Sequence, residues 1–75
     1  MEIKDFIQGF ADQFDDTDVE VFNADTVYQE LEEWGSIAIL SVIAFVRTKY
    51  GKKITASDLR SCRTLEELFN LVKQR

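Results

Sequence analysis

The apolar residues of this chain recur every three or four positions in several segments, which is the period of an α-helix rather than of a strand. The first such segment covers residues 2–14, and its apolar side chains fall on one helical face: Ile3, Phe6, Ile7, Phe10 and Phe14. Gly9 lies within it, although a glycine inside a helix costs about 1 kcal/mol relative to alanine. Residues 2–14 are therefore predicted to form an amphipathic first helix.

The longest apolar run covers residues 37–46 and contains a single polar residue. Gly35 and Ser36, which precede it, both favour the start of a helix. Gly51, which follows it, favours the left-handed conformation that ends one. A second helix of about 22 Å is therefore predicted from Ser36 to Tyr50.

This second helix has apolar residues on more than one side. One stripe is expected to face the core: Ile39, Val42, Ile43, Val46 and Tyr50. A second stripe contains Ile37, Leu40 and Ala44. Either the helix is buried nearly all round, or the second stripe contacts a partner.

Residues 15–34 connect these helices over twenty positions without a strong period, which is long for a compact domain. A short helical turn is predicted from Thr26 to Leu31. The apolar residues expected to hold the connection to the core are Val19, Val21, Phe22, Tyr28 and Trp34. Its four leading acids do not form an EF-hand, because the sixth position counted from Asp16 is Val21, where glycine is required. A solvated loop without a metal ion is expected.

The C-terminal third contains two further helical signals. Thr55 or Ser57 can cap a short turn through Leu59, and Thr64 with Glu67 forms a T-x-x-E capping box before the last apolar segment. The whole pattern predicts an all-α fold in one domain over residues 1–75. The expected architecture is a small four-helix bundle, three helices longer and one short, with a long loop between the first two.

Composition narrows the possible functions. The chain has 75 residues, no histidine and one cysteine, Cys62. Without histidine it lacks the usual general base, the Ser–His and Cys–His pairs and imidazole metal ligands, so a self-sufficient enzyme is not expected. Cys62 is interpreted as a core residue. A lone cysteine, a charged N-terminus unlike a signal peptide and the lack of a membrane-spanning segment favour a cytoplasmic protein.

The charges are unevenly distributed, although the net charge is only −5. Residues 1–36 hold eleven acids and one base, whereas residues 37–75 hold three acids and eight bases. Such asymmetry suggests charged partners. Nucleic acid is not expected among them, because its phosphates would repel the acidic half.

Ser36 is the candidate for chemistry in this chain. It stands at the start of the second helix, where the helix dipole and free backbone amides favour an anion such as a phosphate ester. Serine is also a favoured helix cap, and its position alone favours that structural role. The surrounding residues decide between the two interpretations.

These residues resemble the acyl carrier protein family over nearly the whole chain. The pattern includes T-x-x-x-x-L-x-x-W from Thr26 to Trp34 and G-S-I at residues 35–37. It continues with Tyr50–Gly51 and with D-L-x-x-x-x-T-x-x-x-L at residues 58–68. In that family the serine of a D-S-L motif carries the prosthetic group, and Ser36 matches that serine.

The resemblance implies that Ser36 carries a covalent 4′-phosphopantetheine arm, attached by a phosphopantetheinyl transferase. The thiol of the arm would hold acyl or aminoacyl groups as thioesters for loading and transferring enzymes of fatty acid, polyketide or related biosynthesis. The chain would be a non-catalytic, monomeric carrier that does not insert into membranes. Its expected partner surface consists of Gly35, Ile37, Leu40, Ala44 and Arg47.

The chain departs from the family pattern in two places, and the second of them, a partner helix without acids, favours a dedicated pathway. Gly35 stands where the family has aspartate, and the second helix holds no acid and ends with Arg47, Thr48 and Lys49. The alternative interpretation is a helical interaction module that keeps the fold without the modification and docks through the second stripe.

Overall fold

The structure is a computed structural model that describes all of residues 1–75, and 61% of them are helical. The four α-helices are α1 (Ile3–Ala11), α2 (Ser36–Tyr50), α3 (Ala56–Ser61) and α4 (Leu65–Gln74). Short 3₁₀ turns at Val19–Val21 and Tyr28–Glu30 interrupt the long loop between α1 and α2. There are no strands, only an isolated bridge between Val27 and Thr64. The predicted all-α bundle of three longer helices and one short helix is confirmed.

The boundaries of α2 agree with the predicted ones. Gly51 adopts the left-handed conformation at φ 67°, and its amide donates to the carbonyl of Arg47 at 3.0 Å. By contrast, α1 ends at Ala11, three residues before the predicted end. The chain continues there in a 3₁₀-type turn, in which the amide of Phe14 donates to the carbonyl of Ala11 three residues back. The Phe14 ring is still buried in the core.

Both C-terminal helices, α3 and α4, begin after a threonine that caps their N-terminus. At α3, Thr55 and Asp58 form a complete capping box, and the pKa of Asp58 is lowered chiefly by the Thr55 amide that donates to it. At α4, Thr64 accepts from the Glu67 amide as predicted. The Glu67 carboxylate, however, accepts from the amide of Arg63, one residue before the cap, so the predicted box is only half formed.

Sixteen buried residues form the core, and aromatic rings occupy much of it. Phe10 is fully buried among five other rings, those of Phe6, Phe14, Phe22, Tyr28 and Trp34. All of these rings except that of Phe6 belong to the long loop between α1 and α2, which is therefore packed onto the bundle.

The predicted anchors of the long loop divide into two groups. Phe22 and Tyr28 are buried and Trp34 is partly buried, as expected. The prediction for Val19 and Val21 is wrong, since both are about half exposed. They belong to a single 3₁₀ turn capped by the Asp18 side chain, and the residue that enters the core is Phe22, directly after the turn.

Hydrogen bonds fix the same loop to the start of α4. The amides of Leu65 and Glu66 belong to the first turn of α4 and have no acceptor within the helix. They donate to the carbonyls of Thr26 and Ala24 at 3.1 and 3.0 Å. The loop therefore provides acceptors for free amides at the N-terminus of a helix that follows it by some forty residues in the chain.

Gly9 lies where α1 approaches α2. A Cβ atom added to Gly9 would lie 2.3 Å from Cε1 of Phe45, so the Phe45 ring packs directly on the glycine backbone. The same ring also contacts the rings of Phe6 and Tyr50, which restrict its movement. The glycine therefore permits this close packing.

Gly9→Ala is expected to lower the free energy of unfolding by about 1 kcal/mol, because overpacking costs about 1–3 kcal/mol and the helix gains about 1 kcal/mol from alanine. In a Phe45→Ala background the same change is expected to stabilise the protein by about 1 kcal/mol. Urea denaturation of the four proteins of this double-mutant cycle measures the reversal. A stabilising effect of Gly9→Ala in both backgrounds would contradict the packing described.

Candidate modification site at Ser36

The backbone at the start of α2 leaves Ser36 free of a capping role. Gly35 is the cap residue, in an extended conformation, and its carbonyl accepts the first helical hydrogen bond from Ile39 at 2.9 Å. Ser36 is therefore the first residue inside the helix and is exposed to solvent. Gly35 has no side chain to bond to the helix amides, so no side chain caps this terminus.

The electrostatics at this terminus suit an anion. The positive end of the dipole of a fifteen-residue helix lies at Ser36, and the first turn contains no acidic residue. The nearest acid before the cap in sequence, Glu33, is held by the loop: its carboxylate accepts from the Thr17 hydroxyl and from the Asp16 amide. The first turn of α2 therefore adds no acidic side chain of its own, and the nearby acids are Asp15 and Glu33, which line the groove at Ile37.

The second stripe of α2 is open to solvent. Ile37 and Leu40 have 81% and 67% of their surface exposed, and Ala44 and Arg47 are exposed beyond them. The helix is thus not buried all round. All five residues of the predicted partner surface, Gly35 included, are accessible on this helix. Ser36 and Arg47 are separated by about 16 Å along its axis.

The opposite side of α2 faces the core, as predicted. Val42 and Val46 are fully buried, and the other three members of the first stripe are partly buried against the core. Ala38 is also buried, which the sequence interpretation missed. Its spacing of four residues from Val42 was the signal that could have identified it.

Two open grooves lie along α2, on the side where the chain leaves the C-terminal end of α1. The one at Ile37, the residue after Ser36, has a volume of about 270 Å³ and includes Phe14, Asp15 and Glu33 in its lining. The other, of about 430 Å³, lies further along α2 and includes Ser41, Ala44 and Thr48. Gln13 lines both. No sequence pattern pointed to Gln13 or Glu33, because their approach to α2 depends on the path of the loop.

The remaining chemical features are inert or structural. Cys62 is buried, as predicted, and burial raises the pKa of its thiol, which disfavours the nucleophilic thiolate. No group of three or more potential metal ligands comes together. None of the helices combines the length and apolar character needed to cross a lipid bilayer.

No protein-family model, curated protein or solved structure matches this chain significantly. Its function is therefore inferred from its own residues and their geometry.

Proposed function

We propose that this chain is an acyl carrier protein whose Ser36 bears a 4′-phosphopantetheine arm. The observation that supports this most directly is the position of Ser36: an exposed hydroxyl on the first residue of a long helix, directly before two exposed apolar side chains, those of Ile37 and Leu40. A serine that only capped the helix would occupy the position of Gly35.

The residues at Ser36 fit a covalent phosphodiester. The hydroxyl is accessible, the helix dipole stabilises the anion by about 0.3–1 kcal/mol, and the first turn adds no repelling carboxylate. When attached, the arm supplies a thiol that forms thioesters with acyl or aminoacyl groups. A transferase would supply the base that accepts the serine proton as the serine oxygen bonds to the phosphorus of coenzyme A and adenosine 3′,5′-bisphosphate leaves. The lack of histidine therefore does not conflict with this role.

The exposed stripe of α2 is the proposed docking surface for partner enzymes. Ile37, Leu40 and Ala44 form an apolar strip next to Ser36, and Arg47 adds a positive charge at the far end. An apolar strip with a charged rim suits transient association with the transferase and with loading and transferring enzymes. The chain would thus act as a non-catalytic, monomeric, cytoplasmic carrier in fatty acid, polyketide or a more dedicated biosynthesis.

Ser36→Ala is expected to abolish attachment of the arm. Wild-type protein incubated with coenzyme A and a permissive phosphopantetheinyl transferase should gain the mass of one phosphopantetheinyl group, measured by intact-mass spectrometry. Ser41→Ala, Ser57→Ala and Ser61→Ala are matched controls that should be modified like the wild type. An arm that persists on Ser36→Ala would contradict the assignment.

The exposed apolar stripe also supports the alternative, an interaction module that is never modified. If none of several transferases modifies the wild type or a variant with the family's aspartate at position 35, the carrier proposal fails. The stripe would then be the functional surface by itself.

Gly35→Asp is expected to be neutral or to stabilise the protein by up to about 1 kcal/mol, and to speed modification of Ser36. A Cβ atom added at position 35 would meet no atom within 4 Å, and the extended backbone there is open to any residue. Aspartate caps a helix about as well as glycine, and its charge adds about 0.3–1 kcal/mol at the N-terminus. Urea denaturation and the time course of intact mass measure the two effects. A marked loss of stability would mean that the start of α2 is less open than described.

A further inference from the structure

The interior of this bundle has no space for a ligand. The only hollows are the two open grooves beside α2, and no enclosed cavity exists between the helices. Nine side chains of the core are less than 2% exposed, and aromatic rings fill the region between α1 and the long loop. A group carried on Ser36 could enter the core only by displacing these side chains.

The grooves, by contrast, follow one another along the outside of α2. The first includes Ile37, the residue after Ser36, together with Asp15 and Glu33, and the second extends to Thr48 and Lys49. Gln13 lines both. Ser36 and Thr48 are twelve positions apart in the helix, which corresponds to about 18 Å along its axis. The two grooves together are therefore long enough for an extended flexible chain attached at Ser36.

The lining of the second groove suits a chain that contains amide groups. Ser41 and Thr48 bring hydroxyls that donate and accept, spaced two helical turns apart on one side of α2. Gln13 uses its side-chain nitrogen to donate to the Gly9 carbonyl at 3.0 Å, which orients its amide and leaves its oxygen free to accept. Ala44 and the Phe45 ring provide the apolar part of the lining.

We propose that the pantetheine part of the arm lies in these grooves along α2, and that its cargo stays outside the helical core. The inference rests on the proposed modification of Ser36. It goes beyond that proposal because it assigns where the arm lies on the protein and which class of cargo it carries. Because the grooves are open and partly polar, they favour short or polar acyl and aminoacyl groups. A long alkyl chain placed there would remain largely in contact with water.

A spin label at the end of the arm tests the location. The transferase can load a nitroxide-labelled coenzyme A, so that Cys62 is not touched, and intact mass then verifies the attachment. Failure of this first step would count against the carrier proposal itself, separately from the location of the arm. In the labelled protein, amides of Gln13, Ser41, Phe45 and Thr48 should lose most of their signal intensity, while those of Leu59 and Leu68 should keep it.

Two other patterns would overturn the proposal. Broadening centred on the amides of Leu59 and Leu68 would place the end of the arm between the helices. Weak broadening spread evenly over many surface amides would mean that the arm moves freely in solvent. Ala44→Trp, which fills the second groove, should remove the pattern, whereas Arg60→Trp, at an exposed position on α3, should leave it unchanged.

The length of the cargo provides a second measurement. Protein loaded with an acetyl arm and protein loaded with an octanoyl arm should unfold at the same temperature, because neither group is buried in the core. A rise in the unfolding temperature with chain length would show burial of the alkyl chain and would overturn the proposal.

Discussion

Phe10→Ala is expected to lower the free energy of unfolding by about 3–5 kcal/mol, the range for removal of a fully buried phenylalanine side chain. A domain of this length is stabilised by roughly 4–11 kcal/mol in total, so the substitution removes at least about a quarter of the stability of the protein. Phe10 is completely buried, and its ring lies 5.4 Å from that of Phe14, 5.6 Å from that of Tyr28 and 6.0 Å from that of Phe22. Its loss removes the ring contacts that join α1 to the long loop.

Urea denaturation followed by fluorescence measures this effect, because the single tryptophan, Trp34, stacks near Phe10 at 6.4 Å between ring centres. Phe10→Leu keeps part of the apolar volume and should remain folded enough to measure if the alanine variant is not. The matched control is Ile37→Ala, since Ile37 is 81% exposed and should change stability by less than about 0.5 kcal/mol. Equal costs for the phenylalanine and isoleucine variants would contradict the core described.

Tyr28→Phe is expected to lower the free energy of unfolding by about 0.5–1.5 kcal/mol at neutral pH, the net contribution of a buried hydrogen bond whose acceptors keep another donor. The Tyr28 ring is completely buried, and its hydroxyl donates to the carbonyls of Leu59 and Cys62 at the end of α3. Gln29 also donates to both carbonyls, at 3.2 and 2.9 Å, so they keep one donor each. The variant should therefore loosen the loop without unfolding the bundle.

The cost of Tyr28→Phe should decrease at alkaline pH. Burial, and to a smaller extent the nearby Cys62 and Glu67, raise the pKa of the Tyr28 hydroxyl well above its ordinary value of 10.0. In the unfolded chain Tyr28 ionises near pH 10, whereas in the folded protein it stays protonated. The stabilisation from Tyr28 is thus fully present below pH 10 and is lost as the pH rises towards its folded pKa.

Urea denaturation of the wild type and of Tyr28→Phe at neutral pH and at about pH 11 measures the change. The difference in stability between them should shrink at the higher pH. The pKa of Tyr50 is also raised, by burial and by Asp5, so the variant should keep a weaker alkaline dependence of its own. A difference that stays constant between the two pH values would contradict the burial of the Tyr28 hydroxyl.

The helices of this protein were largely determined by local sequence. The bounds of α2 follow from Gly35 and Gly51, and the starts of α3 and α4 follow from Thr55 and Thr64. A cap, a helical hydrogen bond and an apolar period each involve residues within about four positions of one another, so the sequence contains all that they need. The candidate Ser36 could be found for the same reason, as a serine beside a helix start.

Burial was decided by the tertiary structure. The sequence left open whether the second stripe of α2 would be covered as well as the first, and the packing of α1 and α3 on α2 leaves Ile37 and Leu40 exposed. It gave no sign that Phe45 would pack on Gly9, or that Tyr28 would bond to carbonyls more than thirty residues away. Such contacts join segments distant in the chain, so they depend on how the elements pack together, which no local pattern specifies.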